Sequence, residues 1–127
     1  MKKENFLRKL WKQGKVVMVE PSEEISLSYF HKSDNCLSAA KILLQNQLYE
    51  NATAEAYYSM YNALLALLFK IGIKSENHTA SIFLLGLLFE EEELEISIAS
   101  AKEERIDKQY YVETQQQTKI SEENCQT

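Results

Sequence analysis

The sequence predicts an all-α, up-and-down antiparallel bundle of about five helices. Three observations carry this. The 127 residues include one Pro and three Gly, too few breakers for a chain rich in turns. Leu, Ala, Glu and Lys, all good helix formers, are abundant. The β-branched run Val16-Val17-Met18-Val19 is short and stands alone as a strand signal. A chain of this length forms one domain and buries roughly two-thirds of its unfolded surface.

The elements follow in order. Phe6, Leu7, Leu10 and Trp11 recur at helical spacing, predicting a first helix from about Lys3 to Gln13 with Gly14 as its stop. Val16 to Glu20 reads as a connector. Pro21-Ser22-Glu23-Glu24 places Pro and acids where a helix begins. The second helix then runs to about Gln47, with Ile25, Tyr29, Cys36, Ala39, Ala40, Leu43 and Leu44 as its apolar stripe. A third helix runs from near Asn51 to Ile71 and stops at Gly72. It is apolar nearly all round, so it is central to the bundle or meets a second subunit. Lys74 to Asn77 reads as a loop, with Ser75 or Asn77 capping a fourth helix over about 78–89. A fifth covers about 92–108, with Leu94, Ile98, Ala101 and Ile106 inward. The run Glu90 to Glu93 is expected to be a solvated helix start and not a metal site. Residues 1–19 form a basic N-terminal helix and connector, 20–112 the core bundle, and 113–127 a polar segment. In that last segment, Gln115-Gln116-Gln117-Thr118 reads as a linker. Ser121-Glu122-Glu123 announces a helix with few residues left to build it, the expectation for a truncated or frayed end.

Charge is unevenly spread. Residues 1–19 carry six basic residues and one acid, a net +5, whereas residues 90–127 carry eleven acids and four basic residues, a net −7. The overall −5 argues against broad nucleic-acid affinity. The basic N-terminus is expected to pair with the acidic C-terminal third, within the chain or across a dimer; the alternative is a local basic patch. Cys36 and Cys125 are too few and too distant for a disulfide framework, and read as reduced thiols. No metal, nucleotide or cofactor motif is present. The apolar run 63–69 falls far short of the ~20 residues a membrane span needs, and the first residues lack the apolar core of a signal peptide. A cytoplasmic protein is expected, with the Asn51 and Asn77 sequons arising by chance.

One stretch carries more. Ala56-Tyr57-Tyr58-Ser59-Met60-Tyr61-Asn62-Ala63, followed by Lys70-Ile71-Gly72-Ile73 and then His78, resembles a motif of the HEPN domain family of prokaryotic helical proteins. Arg105 and Tyr110-Tyr111 loosely match a later feature of the same family, and the likeness extends over about 38–111. The resemblance implies a helical bundle that commonly forms homodimers. It also implies a place beside a minimal nucleotidyltransferase, as the toxin half of a toxin–antitoxin pair. Active members are metal-independent ribonucleases with an Arg-x(4–6)-His motif. In that chemistry a His moves protons at the 2′-hydroxyl and leaving group, while Arg holds the charge building on the phosphate. This chain departs from the motif. Arg105 is followed at five residues by Tyr110, and His78 is preceded at four by Lys74, a point charge without Arg's bidentate fork.

Candidate catalytic residues are therefore Arg105 and Tyr110. Candidate ligand-binding residues are Tyr57, Tyr61, Asn62, Lys74, His78 and Tyr111. Each has a plainer alternative. Arg105 pairs with Glu103, Glu104 or Asp107. Tyr57, Tyr58 and Tyr61 are core aromatics with hydroxyls reaching outward. Asn62 satisfies itself in the core or sits at a dimer seam. Tyr110 and Tyr111 stack a base, accept a nucleotidyl group, or end a helix. His78 belongs to the cap of its helix. The leading expectation is a dimeric HEPN-type module, partnered with a nucleotidyltransferase and carrying a degenerate ribonuclease centre. The alternatives are an active ribonuclease using Arg105 with Tyr110 or a nearby His, and a nucleotide-binding accessory domain.

Overall fold

The computed structural model describes residues 2–107. Among these, five helices and one two-stranded sheet follow in the order α1 (Lys2–Lys12), β1 (Val16–Met18), α2 (Glu23–Gln45), α3 (Tyr49–Ile71), β2 (Ile73–Ser75), α4 (His78–Phe89) and α5 (92–107). Among the described residues, no helix is long and apolar enough to cross a membrane.

The bundle is built around the hairpin of α2 and α3, each of 23 residues and so about 35 Å long. Small residues make the seam between them. Ser26, Ser33 and Ala40 recur every seventh residue on α2, and Ala52, Ser59 and Ala66 do so on α3; all six are buried. Ser26 Oγ–H donates to the Ala66 carbonyl at 2.8 Å. Ser33 Oγ–H donates to the Ser59 carbonyl at 2.7 Å, and Ser59 Oγ–H donates to the Ser33 carbonyl at 2.9 Å. Small side chains let the two backbones come close enough for these bonds, which then fix an antiparallel register. The inward stripe of α2 thus runs through its serines. Ile25 and Leu44, expected inward, are 43% and 57% exposed.

α3 is central, as its all-round apolar character predicts. Tyr57, Leu64, Ala66 and Leu68 are almost wholly buried, with α2 covering one side and β2 and α4 other parts. Gly72 ends it at φ +88°. A Cβ there would lie 2.6 Å from the Val19 carbonyl oxygen, and the Gly72 carbonyl accepts from the Val19 N–H at 2.8 Å. Glycine is required twice over, for the left-handed backbone and for the close approach.

The segments expected as a connector and a loop form a small antiparallel sheet instead. Val16 pairs with Ser75, Val17 with Lys74 and Met18 with Ile73. Each segment leaves its neighbouring helix with unpaired backbone groups, and pairing with the other satisfies them away from water. Val16, Ile73 and Ser75 point inward.

α4 begins where expected, capped by Asn77, whose Oδ1 accepts from the Ala80 N–H at 2.9 Å. It ends at Glu90 in the left-handed conformation, φ +54°. α5 presents a different face from the one its hydrophobic spacing predicts. Ile98 is buried and Ala101 partly so, but Leu94 is 52% exposed and Ile106 is also exposed. Glu95, Lys102 and Arg105 turn inward because each finds a partner there. Lys3 Nζ bonds Glu95 Oε1 at 2.6 Å, and Lys102 Nζ donates to Thr79 Oγ1 at 2.8 Å. The Lys3–Glu95 pair ties α1 to α5, with Lys3 also 5.1 Å from the centre of the Phe83 ring. Phe6 packs edge-on to the same ring.

Candidate functional site

The site gathers where α3, the start of α4 and α5 meet. Tyr57, Tyr58 and Tyr61 fall on neighbouring positions of α3, one turn or less apart, so all three rings reach the same end of the core. Tyr57 is fully buried and Tyr61 nearly so. Gly72, the β2 strand and the Asn77 cap then turn the chain back, and His78 arrives as the first residue of α4. Its ring stacks on Tyr61 with centroids 4.0 Å apart, and its Nδ1 lies 2.7 Å from Tyr57 Oη. Burial first, then the charges of Arg105 and Lys102, hold the His78 pKa below its ordinary value. Burial pushes Tyr57 up to about 12. Tyr57 Oη and His78 Nδ1 share one hydrogen bond whose direction follows the imidazole tautomer: the phenol donates when the ring proton is on Nε2, the arrangement used below, and accepts when it is on Nδ1.

Arg105 comes from α5. Its Nη1–H donates to Tyr58 Oη at 2.6 Å, and its guanidinium carbon lies 4.9 Å from the Tyr57 ring centre and 5.4 Å from that of Tyr58. Cation–π contacts of this kind grow stronger as they are desolvated. Arg105 Nε is buried with no hydrogen-bond partner among the described residues. Arg105 is therefore held by tyrosines and not by the neighbouring acids Glu103, Glu104 or Asp107. Tyr57 is the shared contact: one face meets Arg105 and its hydroxyl meets His78. Behind it, Tyr61 Oη lies 3.1 Å from Ser81 Oγ, and Ser81 Oγ–H donates to Ser75 Oγ at 2.7 Å. Burial also raises the Tyr61 pKa, opposed by its bond to Ser81.

A cavity of about 390 Å³ opens beside this cluster, between α2 and α3. It is lined by Tyr29, Lys32, Cys36, Glu55, Tyr58, Tyr61, Asn62, Leu65 and His78. One wall is aromatic; the other offers an ammonium, a carboxylate, a thiol and an amide. Asn62 is buried and satisfied within the chain, its Nδ2 donating to the Tyr58 carbonyl at 2.8 Å and lying 3.9 Å from Cys36 Sγ. Burial and the neighbouring Glu55 raise the Cys36 pKa, so the thiol stays protonated.

The structure thus brings together Tyr57, Tyr61, Asn62, His78 and Arg105. Lys74 stands apart on β2, half exposed and 3.8 Å from Glu76. Tyr110 and Tyr111 lie outside the described residues. Sequence reasoning missed Tyr29, Lys32, Cys36 and Glu55 as cavity lining, and Ser75 and Ser81 as the support of Tyr61. The α2–α3 register, invisible in a linear pattern, sets the lining residues side by side, and the β2–α4 turn brings the two serines to Tyr61. Among the described residues no group of three or more His, Cys, Asp or Glu is placed to hold a metal ion.

Comparisons with known proteins agree with this architecture. A protein of Methanocaldococcus jannaschii, named "Putative toxin MJ0605", is 43% identical over 53 residues, which are 42% of this chain and 40% of that protein. The UPF0332 protein PH1297 of Pyrococcus horikoshii is 42% identical over 53 residues, 42% of this chain and 37% of that protein. The matched stretch thus spans about two-fifths of the length of these curated relatives. No solved structure matches. The HEPN domain profile matches residues 27–127, from early α2 onward, and the chain belongs to the HEPN domain family.

Proposed function

We propose that this chain is the toxin-side HEPN module of a two-protein system, acting with a minimal nucleotidyltransferase and not as a self-sufficient ribonuclease. One observation carries the reading: the groups that would do phosphate chemistry are committed to the protein itself. Arg105 is spent on Tyr57 and Tyr58, His78 is clasped by Tyr57 and Tyr61, and no Arg-x(4–6)-His spacing exists. A relative named as a toxin supports the toxin side of the pair. The module acts as a homodimer through exposed apolar residues on α2, among them Phe30, Leu37 and Leu44. Affinity purification of the tagged protein from its native cells, read by mass spectrometry, tests the reading. Co-purification of a small nucleotidyltransferase is the expected result. Its absence, with RNA or free nucleotide recovered instead, overturns it.

A second reading, a metal-independent ribonuclease with a distributed centre, has its own support. His78 and Arg105 share Tyr57, and His78 borders the cavity. There His78 would serve as general base and Arg105, released from Tyr58, as the cation facing the phosphate. RNA cleavage in the presence of chelator, lost in both Arg105→Ala and His78→Ala, would establish it. Intact RNA with the wild-type protein would dismiss it.

A further inference from the structure

Helix α1 lies wholly outside the stretch that matches the HEPN family, residues 27–127. It needs an account of its own. At 100° per residue, its buried residue Leu10 and the packed Phe6 and Leu7 fall on one side. Arg8, Lys9 and Lys12 fall opposite, facing away from the core, and Lys15 continues the line just past the helix; all four are exposed. Among the described residues only Lys3 of this basic segment forms an ion pair, with Glu95. Among the described residues the expected pairing with the acidic third of the chain therefore takes up the inward edge of the helix, and the outward strip meets no acid there. Glu4 is the one acid in the helix, a turn before the strip. Trp11, 52% exposed, flanks it. The far end is fastened to the site, since the Lys15 carbonyl accepts from the Glu76 N–H at 2.8 Å, two residues before His78.

We infer that this strip is a docking surface for the phosphate backbone of a single-stranded nucleic acid, with Trp11 stacking a base. Three considerations select this partner. Four like charges in about 10 Å of chain can displace the cations condensed along a polyanion, and release of those cations favours binding. An amphipathic membrane anchor needs its apolar face free, and here Phe6, Leu7 and Leu10 are committed to the core. An exposed indole beside the charges offers a π-face that single-stranded bases use and an acidic protein surface does not need. The inference requires no particular chemistry at His78 and Arg105, and its test reads binding alone.

The experiment titrates the full chain into a fluorescein-labelled single-stranded oligoribonucleotide and, in parallel, into the oligodeoxyribonucleotide of the same sequence, which tells the two sources of the backbone apart, and follows anisotropy over a series of salt concentrations. Four phosphate contacts predict a slope of log affinity on log salt of about −3. Combining Arg8→Gln, Lys9→Gln, Lys12→Gln and Lys15→Gln should weaken binding at least tenfold and flatten the slope. Trp11→Ala should weaken it about fivefold or more and leave the slope unchanged. Circular dichroism checks folding; if the fourfold variant fails, Arg8→Glu with Lys12→Glu replaces it. Unchanged binding in the charge variant overturns the inference. So does equal binding of a polyglutamate peptide with no effect of Trp11→Ala, which would make the partner an acidic protein. Preference for phosphatidylserine vesicles, or no binding at low salt, overturns it as well.

Discussion

Tyr57 couples two ionisable neighbours without exposing itself. Tyr57→Phe keeps the ring under Arg105 but removes the hydroxyl that satisfies His78 Nδ1. A cost of about 1 kcal/mol in chemical denaturation is expected, with a rise in the His78 pKa because the donor that favours the neutral ring is gone. An NMR titration of the imidazole would show the rise; a fall would mean that His78 is the donor. The depressed His78 pKa also fixes a pH dependence. Below the ordinary value of about 6.5 the unfolded chain takes up a proton that the folded one resists. Stability is therefore full above that value and declines as pH falls through it toward the folded pKa. His78→Gln should flatten this part of the profile. At this scale the motif residues were legible: Tyr57, Tyr61, His78 and Arg105 were singled out and do meet. Lys74 was singled out by spacing alone, and strand pairing carries it elsewhere. Spacing cannot report which way an extended residue faces until its partner strand is known.

At the scale of elements, the helices and their caps were readable because Gly72, Asn77 and the Pro21–Glu24 start are local signals. The sheet was not, because each three-residue strand exists only through the other. The inward face of α5 was misread for a related reason. Hydrophobic periodicity assumes that polar residues face water, and Glu95, Lys102 and Arg105 face in because Lys3, Thr79 and Tyr58 await them. Gly72→Ala combines left-handed strain of roughly 1–2 kcal/mol with a clash against the Val19 carbonyl, and a loss of at least about 2 kcal/mol is expected from denaturant midpoints. Glu90→Gly should act the other way. Glu90 sits at φ +54° with its side chain exposed, and relief of that strain, less the added freedom of the unfolded chain, should gain about 0.5 kcal/mol. A loss on this substitution would mean that the Glu90 side chain holds the α4–α5 turn.

For the molecule as a whole, the all-round apolar character of α3 had two explanations, a central helix or a subunit contact. The fold provides the first, covering α3 within one chain. Exposed apolar residues lie elsewhere, on α2 (Phe30, Leu37 and Leu44 among them) and also on α4 and α5. If the proposed dimer forms through α2, light scattering should give twice the monomer mass for the wild type, and Leu37→Glu with Leu44→Glu should reduce it to the monomer without loss of helicity. A dimer that survives both changes would place the contact on another face.

The serines between α2 and α3 have a reach beyond register. Lys32 and Cys36 flank Ser33, and Tyr58 and Asn62 flank Ser59, so the residues beside each serine line the cavity near His78. The reciprocal Ser33–Ser59 bonds act as a gauge block between two walls. The spacing of the cavity's two helical walls is thus held by two hydroxyl groups that do not line it, so that a change at the seam would alter the width of a space some distance from it.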